Sequence, residues 1–147
     1  MLKAIIIEDE PNNLEALQRD LKKHCPAVNV VETCQSAREG LWAIEKHRPD
    51  LVFLDIEMPR MNAFEMLAEL PEVHFDIIFT TAHGEYARQA FEVSAVDYLL
   101  KPIDREKLKS AVARALEKHQ RSTNKAQIEL LLQNMQVAQP GLRRLAV

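Results

Sequence analysis

The chain has 147 residues, 47% of them hydrophobic and 28% charged, with a formal net charge of −3. That is the size and make-up of one globular domain, able to bury a core without a disulfide or a structural metal. It contains no apolar run long enough to span a membrane. Its three glycines, Gly40, Gly84 and Gly141, are too scattered for a GxGxxG dinucleotide turn or a GxxxxGK[ST] phosphate loop.

The opening MLKAIIIEDE turns acidic too soon for a secretory leader. Cys25 and Cys34 form no CxxC motif, and the expectation is two free thiols in a reducing cytoplasm. Charge is uneven: residues 1–103 carry a net −8 and residues 104–147 a net +5. The acidic body is a poor nucleic-acid surface by itself.

In chain order, apolar β-branched runs at Ala4–Ile7, Val28–Thr33, Leu51–Leu54, Ile77–Thr80 and Ala95–Leu100 predict five strands buried on both faces. Helical patterns lie between and after them. Pro11 opens the first, with Leu14, Leu17 and Leu21 on one face. Ser36 with Glu39 reads as a capping box before Ala37, Leu41 and Ile44. Phe64, Leu67 and Leu70 mark a short third helix, and Tyr86, Ala90 and Phe91 a weaker fourth. Asp104 caps a fifth, whose face is Leu108, Val112 and Leu116. Alternating strands and helices predict an α/β fold, a doubly wound parallel sheet with helices on both faces.

After about residue 119 the pattern changes. HQRSTNKAQ is polar, and Ile128, Leu131, Leu132 and Met135 then give another helical stripe. That stripe suits an extension of the fifth helix, a docked segment or a pairing with a second chain. Pro140 and Gly141 break it, and LRRLAV looks like the opening of a strand.

In such a sheet, ligands bind beyond the carboxyl ends of the strands. Strand one runs into Glu8, Asp9 and Glu10, and strand three into Asp55, Ile56 and Glu57. With these strands adjacent, Glu8, Asp9 and Asp55 converge. Two carboxylates about 5 Å apart at an effective dielectric near 20 repel by roughly 3 kcal/mol, so three of them call for a counter-cation or a raised pKa. Hard oxygen ligands suit Mg²⁺, while solvated acids in strand–helix loops are the alternative. Strand four ends in Thr80 and Thr81, and strand five in Lys101-Pro102. A carboxylate nucleophile, a divalent cation, an ammonium and a hydroxyl together equip a site for phosphoryl transfer to a carboxylate.

The motifs IIIEDEP, LVFLDIEMP, FTTA and YLLKP, in that order, closely resemble the receiver domain of bacterial two-component response regulators. TTAHGEYARQAFEVSAVDYLLKP further resembles the LytTR subgroup, in which a receiver precedes a DNA-binding domain. The resemblance implies a five-stranded, flavodoxin-like sheet of order 2-1-3-4-5. It implies a receiver over residues 1–120, and a linker helix with the start of a truncated C-terminal DNA-binding domain over 121–147.

Asp55 is then the phosphorylated aspartate of a phosphoacceptor switch that is not a turnover enzyme. Glu8, Asp9 and Asp55, with the backbone carbonyl of Glu57, hold Mg²⁺. Thr81 and Lys101 bond the phosphoryl oxygens, and Tyr98 is the aromatic switch that turns inward with Thr81. The Lys101–Pro102 peptide is expected to be cis. The partners implied are a sensor histidine kinase and a second copy, through the face of helix four, strand five and helix five or through the tail helix. No DNA binding by this fragment, no membrane association and a cytoplasmic location are expected.

The sequence departs from the family pattern at Glu8, where Asp is commoner, and at Ala63, where Gly is usual; alanine tolerates positive φ poorly. Glu57 and His83 flank the pocket at positions that vary among receivers and set the lifetime of the phosphoryl group. A Mg²⁺-dependent phosphatase using an aspartyl phosphate is the enzymatic rival, but DIEMP lacks the second aspartate of DxDx[TV]. A receiver that only binds protein is the other. Trp42, one position off the Leu41/Ile44 stripe, reads as partly exposed packing. Tyr86, Phe91 and Tyr98 read as core or edge aromatics. Asn12 and Asn13 read as helix-start residues at the corner that meets a kinase. His24, His47, His74, His83 and His119 have no metal-ligand spacing.

Overall fold

A computed structural model describes residues 1–138. Five strands alternate with helices: β1 (Leu2–Ile7), α1 (Pro11–His24), β2 (Val28–Cys34), α2 (Ala37–His47), β3 (Leu51–Asp55), α3 (Ala63–Ala68), β4 (Asp76–Thr81), a 3₁₀ turn (Gly84–Tyr86), α4 (Ala87–Glu92), β5 (Asp97–Leu100) and α5 (Arg105–Ala138). The strands form one sheet of order β2-β1-β3-β4-β5, and every pairing is parallel. The doubly wound parallel sheet expected from the alternation is observed, with the flavodoxin-like strand order that the resemblance implies.

Strand periodicity sorts the core into two layers. Ile5 and Ile7 of β1, Val52 and Leu54 of β3, and Ile77 and Phe79 of β4 face one cluster with Ala43 and Ile44 of α2, Met66 and Leu67 of α3 and Ala90 of α4. Leu2, Ala4 and Ile6, with Leu51, Phe53 and Ile78, face the other, against Leu14, Leu17 and Leu21 of α1 and Leu108, Ala111, Val112 and Ala115 of α5. With β1, β3 and β4 buried on both faces, their runs are continuously apolar rather than alternating.

Helix starts follow local chemistry. Pro11 stands at the first position of α1. Ser36 Oγ accepts from Glu39 N–H at 3.1 Å. The Glu39 carboxylate accepts from Ser36 Oγ–H and, one residue further back than in a full capping box, from Gln35 N–H. Asn62 and Glu65 complete a reciprocal box on α3. Asp104 caps α5 through the N–H of Lys107 at 3.0 Å.

Two expectations change. Strand five begins at Asp97 rather than Ala95, because Ser94 takes φ 60° and Ala95 N–H donates back to Ala90. Phe91 is no core or edge aromatic but 84% exposed: in a helix of six residues only the Ala90 position reaches the sheet, and the next residue points about 100° away. Of the alternatives open for the Ile128–Met135 stripe, extension of the fifth helix is observed: α5 continues through it.

The chain divides into two units between Leu116 and Glu117. Both buried clusters belong to the first. Every residue from Arg121 to Met135 is exposed. The strand-like reading of LRRLAV and the break at Pro140 and Gly141 lie outside the described residues. No helix among those described is long and apolar enough to cross a membrane.

Candidate functional site

All five strands run in one direction, so the residues that follow them meet at one edge of the sheet. Asp55 closes β3 and is 1% exposed, and Glu8, next after β1, is 3% exposed. Carboxylate oxygens of Glu8, Asp9 and Asp55 lie within 4.8 Å of one another. Among the described residues this is the one cluster of three acids, histidines or cysteines close enough to share an ion.

Lys101 follows β5. Its Nζ stands 2.6 Å from Glu8 Oε1 and 3.1 Å from Asp55 Oδ1. Its backbone N–H donates to the Thr81 carbonyl at 2.7 Å, and its bond to Pro102 is cis, as expected.

Burial dominates the electrostatics. The Asp55 carboxyl is pushed up to about 9 by desolvation, then by hydrogen bonding with Asp9 and Glu8 and by the Glu8 charge, with Lys101 opposing. For Lys101, desolvation works against the ammonium. Hydrogen bonds and charges from Glu8 and Asp55 outweigh it, so its pKa rises above the ordinary lysine value. The site suits a small hard cation: three carboxyl-bearing side chains converge, partly enclosed, beside the Lys101 ammonium. Glu8, despite its longer arm, is fixed by Lys101 and by accepting the Glu10 N–H at 3.1 Å.

The loop after Asp55 accommodates Ala63 without strain. Positive φ falls on Arg60 (φ 72°), while Ala63 starts α3 and donates its N–H to the Ile56 carbonyl at 3.0 Å. Ile56 N–H in turn donates to Thr80, carrying the β3–β4 ladder past Asp55.

Thr81 ends β4 and is fully buried. Its hydroxyl donates to the carboxylate of Glu57, a side chain the sequence places beside the pocket without pairing it to Thr81. The same oxygen accepts the His83 N–H at 3.0 Å. The Tyr98 hydroxyl donates to the His83 carbonyl at 2.5 Å, and burial raises its pKa. His83 itself is exposed and takes part through its peptide groups. The one signal for the Glu57–Thr81 contact was register: Asp55 pairs with Thr80, so Glu57 and Thr81 leave neighbouring strands side by side.

Other groups stand apart. Asn12 and Asn13 are exposed on the first turn of α1. Both cysteines are free and buried, and desolvation raises both thiols, Cys34 to about 12. A groove of about 710 Å³ lies between the end of α2 and the loop joining α3 to β4, lined by Arg48, Pro49, Glu69 and Phe75 among others, and holds none of the site residues.

Known proteins are similar to this chain in sequence and in fold. The family described as "Response regulator receiver domain" matches residues 4–113. The chain is 44% identical over 137 residues to the transcriptional regulatory protein BtsR of Escherichia coli K12, covering 92% of this chain and 55% of that protein. It is 43% identical over 123 residues to an uncharacterized response regulatory protein of Vibrio cholerae, covering 83% and 52%. The chain thus spans about half the length of these curated relatives.

Among solved structures, the response regulatory domain of mrkE from Klebsiella pneumoniae superposes with a TM-score of 0.74 at 26% identity, over 82% of this chain and 99% of that one. The receiver domain of AraT from Geobacillus stearothermophilus gives 0.72 at 29%, over 83% and 98%. Sequence, sheet order and the acidic strand ends agree on one assignment: the chain belongs to the response regulator receiver domain family, as the receiver of a two-component response regulator.

Proposed function

We propose that Asp55 is the phosphoacceptor of a bacterial two-component system, taking its phosphoryl group from a phosphohistidine on a sensor histidine kinase. The observation that carries this reading is the convergence of Glu8, Asp9, Asp55 and Lys101 at one sheet edge. An Asp55 carboxylate oxygen attacks phosphorus in line: the O–P bond forms, the N–P bond breaks, and imidazole leaves with the electron pair. Lys101, already 3.1 Å from Asp55, turns its ammonium to the incoming oxygens. Thr81 supplies a hydroxyl donor to another.

Glu8, Asp9 and Asp55, with the carbonyl of Glu57, would hold Mg²⁺, whose chemistry when bound is to neutralise charge shared between Asp55 and the phosphoryl oxygens. The chain acts as a switch rather than as an enzyme that turns over small phosphate esters. Water later hydrolyses the acyl phosphate.

The output is conformational: Thr81 moves to the phosphoryl group and Tyr98 follows, re-presenting the α4–β5–α5 face. A LytTR-type DNA-binding domain, homodimers through that face or through the tail helix, and action in the cytoplasm complete the reading. The stretch from Thr80 to Pro102 and the transcriptional regulators among the relatives support it.

The test is incubation with acetyl phosphate and Mg²⁺, followed by intact mass. One phosphoryl group is expected on the chain and none on Asp55→Asn. Steady release of phosphate from small esters would favour the phosphatase, and an intact fold that takes up neither phosphate nor beryllofluoride would favour a protein-binding module.

A further inference from the structure

We propose that the carboxylate of Glu57 is a positioning group that holds the domain in its resting state by occupying the Thr81 hydroxyl. The inference rests on the phosphoacceptor reading above and adds a regulating residue to it.

A threonine hydroxyl carries one proton and can donate to one acceptor at a time. Here it donates to Glu57. A phosphoryl oxygen on Asp55 is also an acceptor, so Thr81 reaches it only by leaving Glu57. Two anions, one fixed in the chain and one arriving, thus compete for a single donor, and a hydrogen bond to a carboxylate is among the stronger ones to surrender.

The contact is also wired to the surface. Thr81 Oγ1 accepts the His83 N–H at 3.0 Å, and the carbonyl of the same residue accepts the Tyr98 hydroxyl at 2.5 Å. When Thr81 turns away, the His83 N–H loses its acceptor and the His83 peptides are free to reorient. The hydroxyl that anchors the Tyr98 ring then loses its fixed partner. Glu57 therefore acts on Tyr98 through two bonds of Thr81 and one residue of backbone, with no direct contact required. Removing its carboxylate should release the resting state without any phosphoryl group being present.

The test uses the full chain labelled with ¹⁵N, as wild type, Glu57→Ala, Thr81→Val and the double variant. Two readouts are taken: the His83 amide and Tyr98 ring resonances in the free protein, and the midpoint of beryllofluoride titration at saturating Mg²⁺, with Mg²⁺ affinity measured separately.

The expected result is that Glu57→Ala moves both resonances toward their beryllofluoride-saturated positions before any ligand is added. It also tightens beryllofluoride binding by about 3-fold to 10-fold, the worth of one net hydrogen bond. In the Thr81→Val background the same substitution has no effect on either. Resonances unmoved by Glu57→Ala, or an effect that persists without the Thr81 hydroxyl, would overturn the inference. Wild type that takes up no beryllofluoride would instead overturn the phosphoacceptor reading; whether Glu57→Ala moves the two resonances of the free protein only when the Thr81 hydroxyl is present would then decide the role of Glu57.

Discussion

A carboxyl group as enclosed as that of Asp55 holds its proton more tightly in the folded chain than in the unfolded one, because burial and then Asp9 and Glu8 disfavour the anion. Its folded pKa lies near 9 against an ordinary 3.8. The stabilisation linked to that proton is fully present below the unfolded value and is lost as pH rises toward the folded one. In chelator, wild-type stability should therefore decline between about pH 4 and pH 9. Asp55→Asn should raise it at neutral pH by at least about 1 kcal/mol, with a gap that widens as pH increases; urea denaturation at three pH values measures this, and a gap independent of pH would contradict it.

Lys101 is the complement. Its ammonium bonds two nearly buried carboxyl groups, so Lys101→Met should destabilise the fold by about 3 kcal/mol in chelator, with part of the loss restored by Mg²⁺. Denaturation with and without the ion checks both halves. These four charged residues were legible because strand ends can be read from apolar runs. The hydroxyl of Thr81 bonding Glu57 was not, since the direction of a side chain beyond a strand end is set by the loop that follows, here by Arg60 at positive φ and by the Asn62 cap.

At the scale of elements, α2 approaches the sheet through Gly40. A Cβ there would lie 2.5 Å from Ile7 Cδ1 and 3.0 Å from its Cγ1, and Ile7 is fully buried. Gly40→Ala gains about 1 kcal/mol of helix propensity but overpacks at a cost of about 1–3 kcal/mol, so a net loss of roughly 1 kcal/mol is expected. Ile7→Val removes the nearest methyl, and the double variant should recover most of that loss. Thermal melts of the four proteins form the cycle, and strictly additive losses would refute the close approach.

Strand identity was readable wherever both faces are buried. The start of β5 and the face of α4 were not, because a six-residue helix offers barely two turns of periodicity. The turn between them depends on Ser94 adopting a backbone region that its residue type seldom announces.

At the scale of the molecule, one buried cluster ends at Tyr98 and the other at Leu116, and the side chains from Arg121 to Met135 are exposed. A chain stopped after Gln120 should therefore melt within about 2 °C of the full one, since none of the described core residues is removed. A larger fall would mean that the tail contributes stability, and loss of a concentration-dependent mass in sedimentation would assign self-association to it. Continuation of α5 could not be read from composition: HQRSTNKAQ is polar on all faces, and such a segment forms helix or linker with nearly equal ease.

The lone indole has its own consequence. Trp42 is 58% exposed on α2, with the Lys46 ammonium 4.7 Å over its ring, and no site residue belongs to that helix. Its emission should already be that of a solvated chromophore and should stay constant while the acidic edge is loaded. An optical assay for this protein has to bring its own dye to the β4–β5 side.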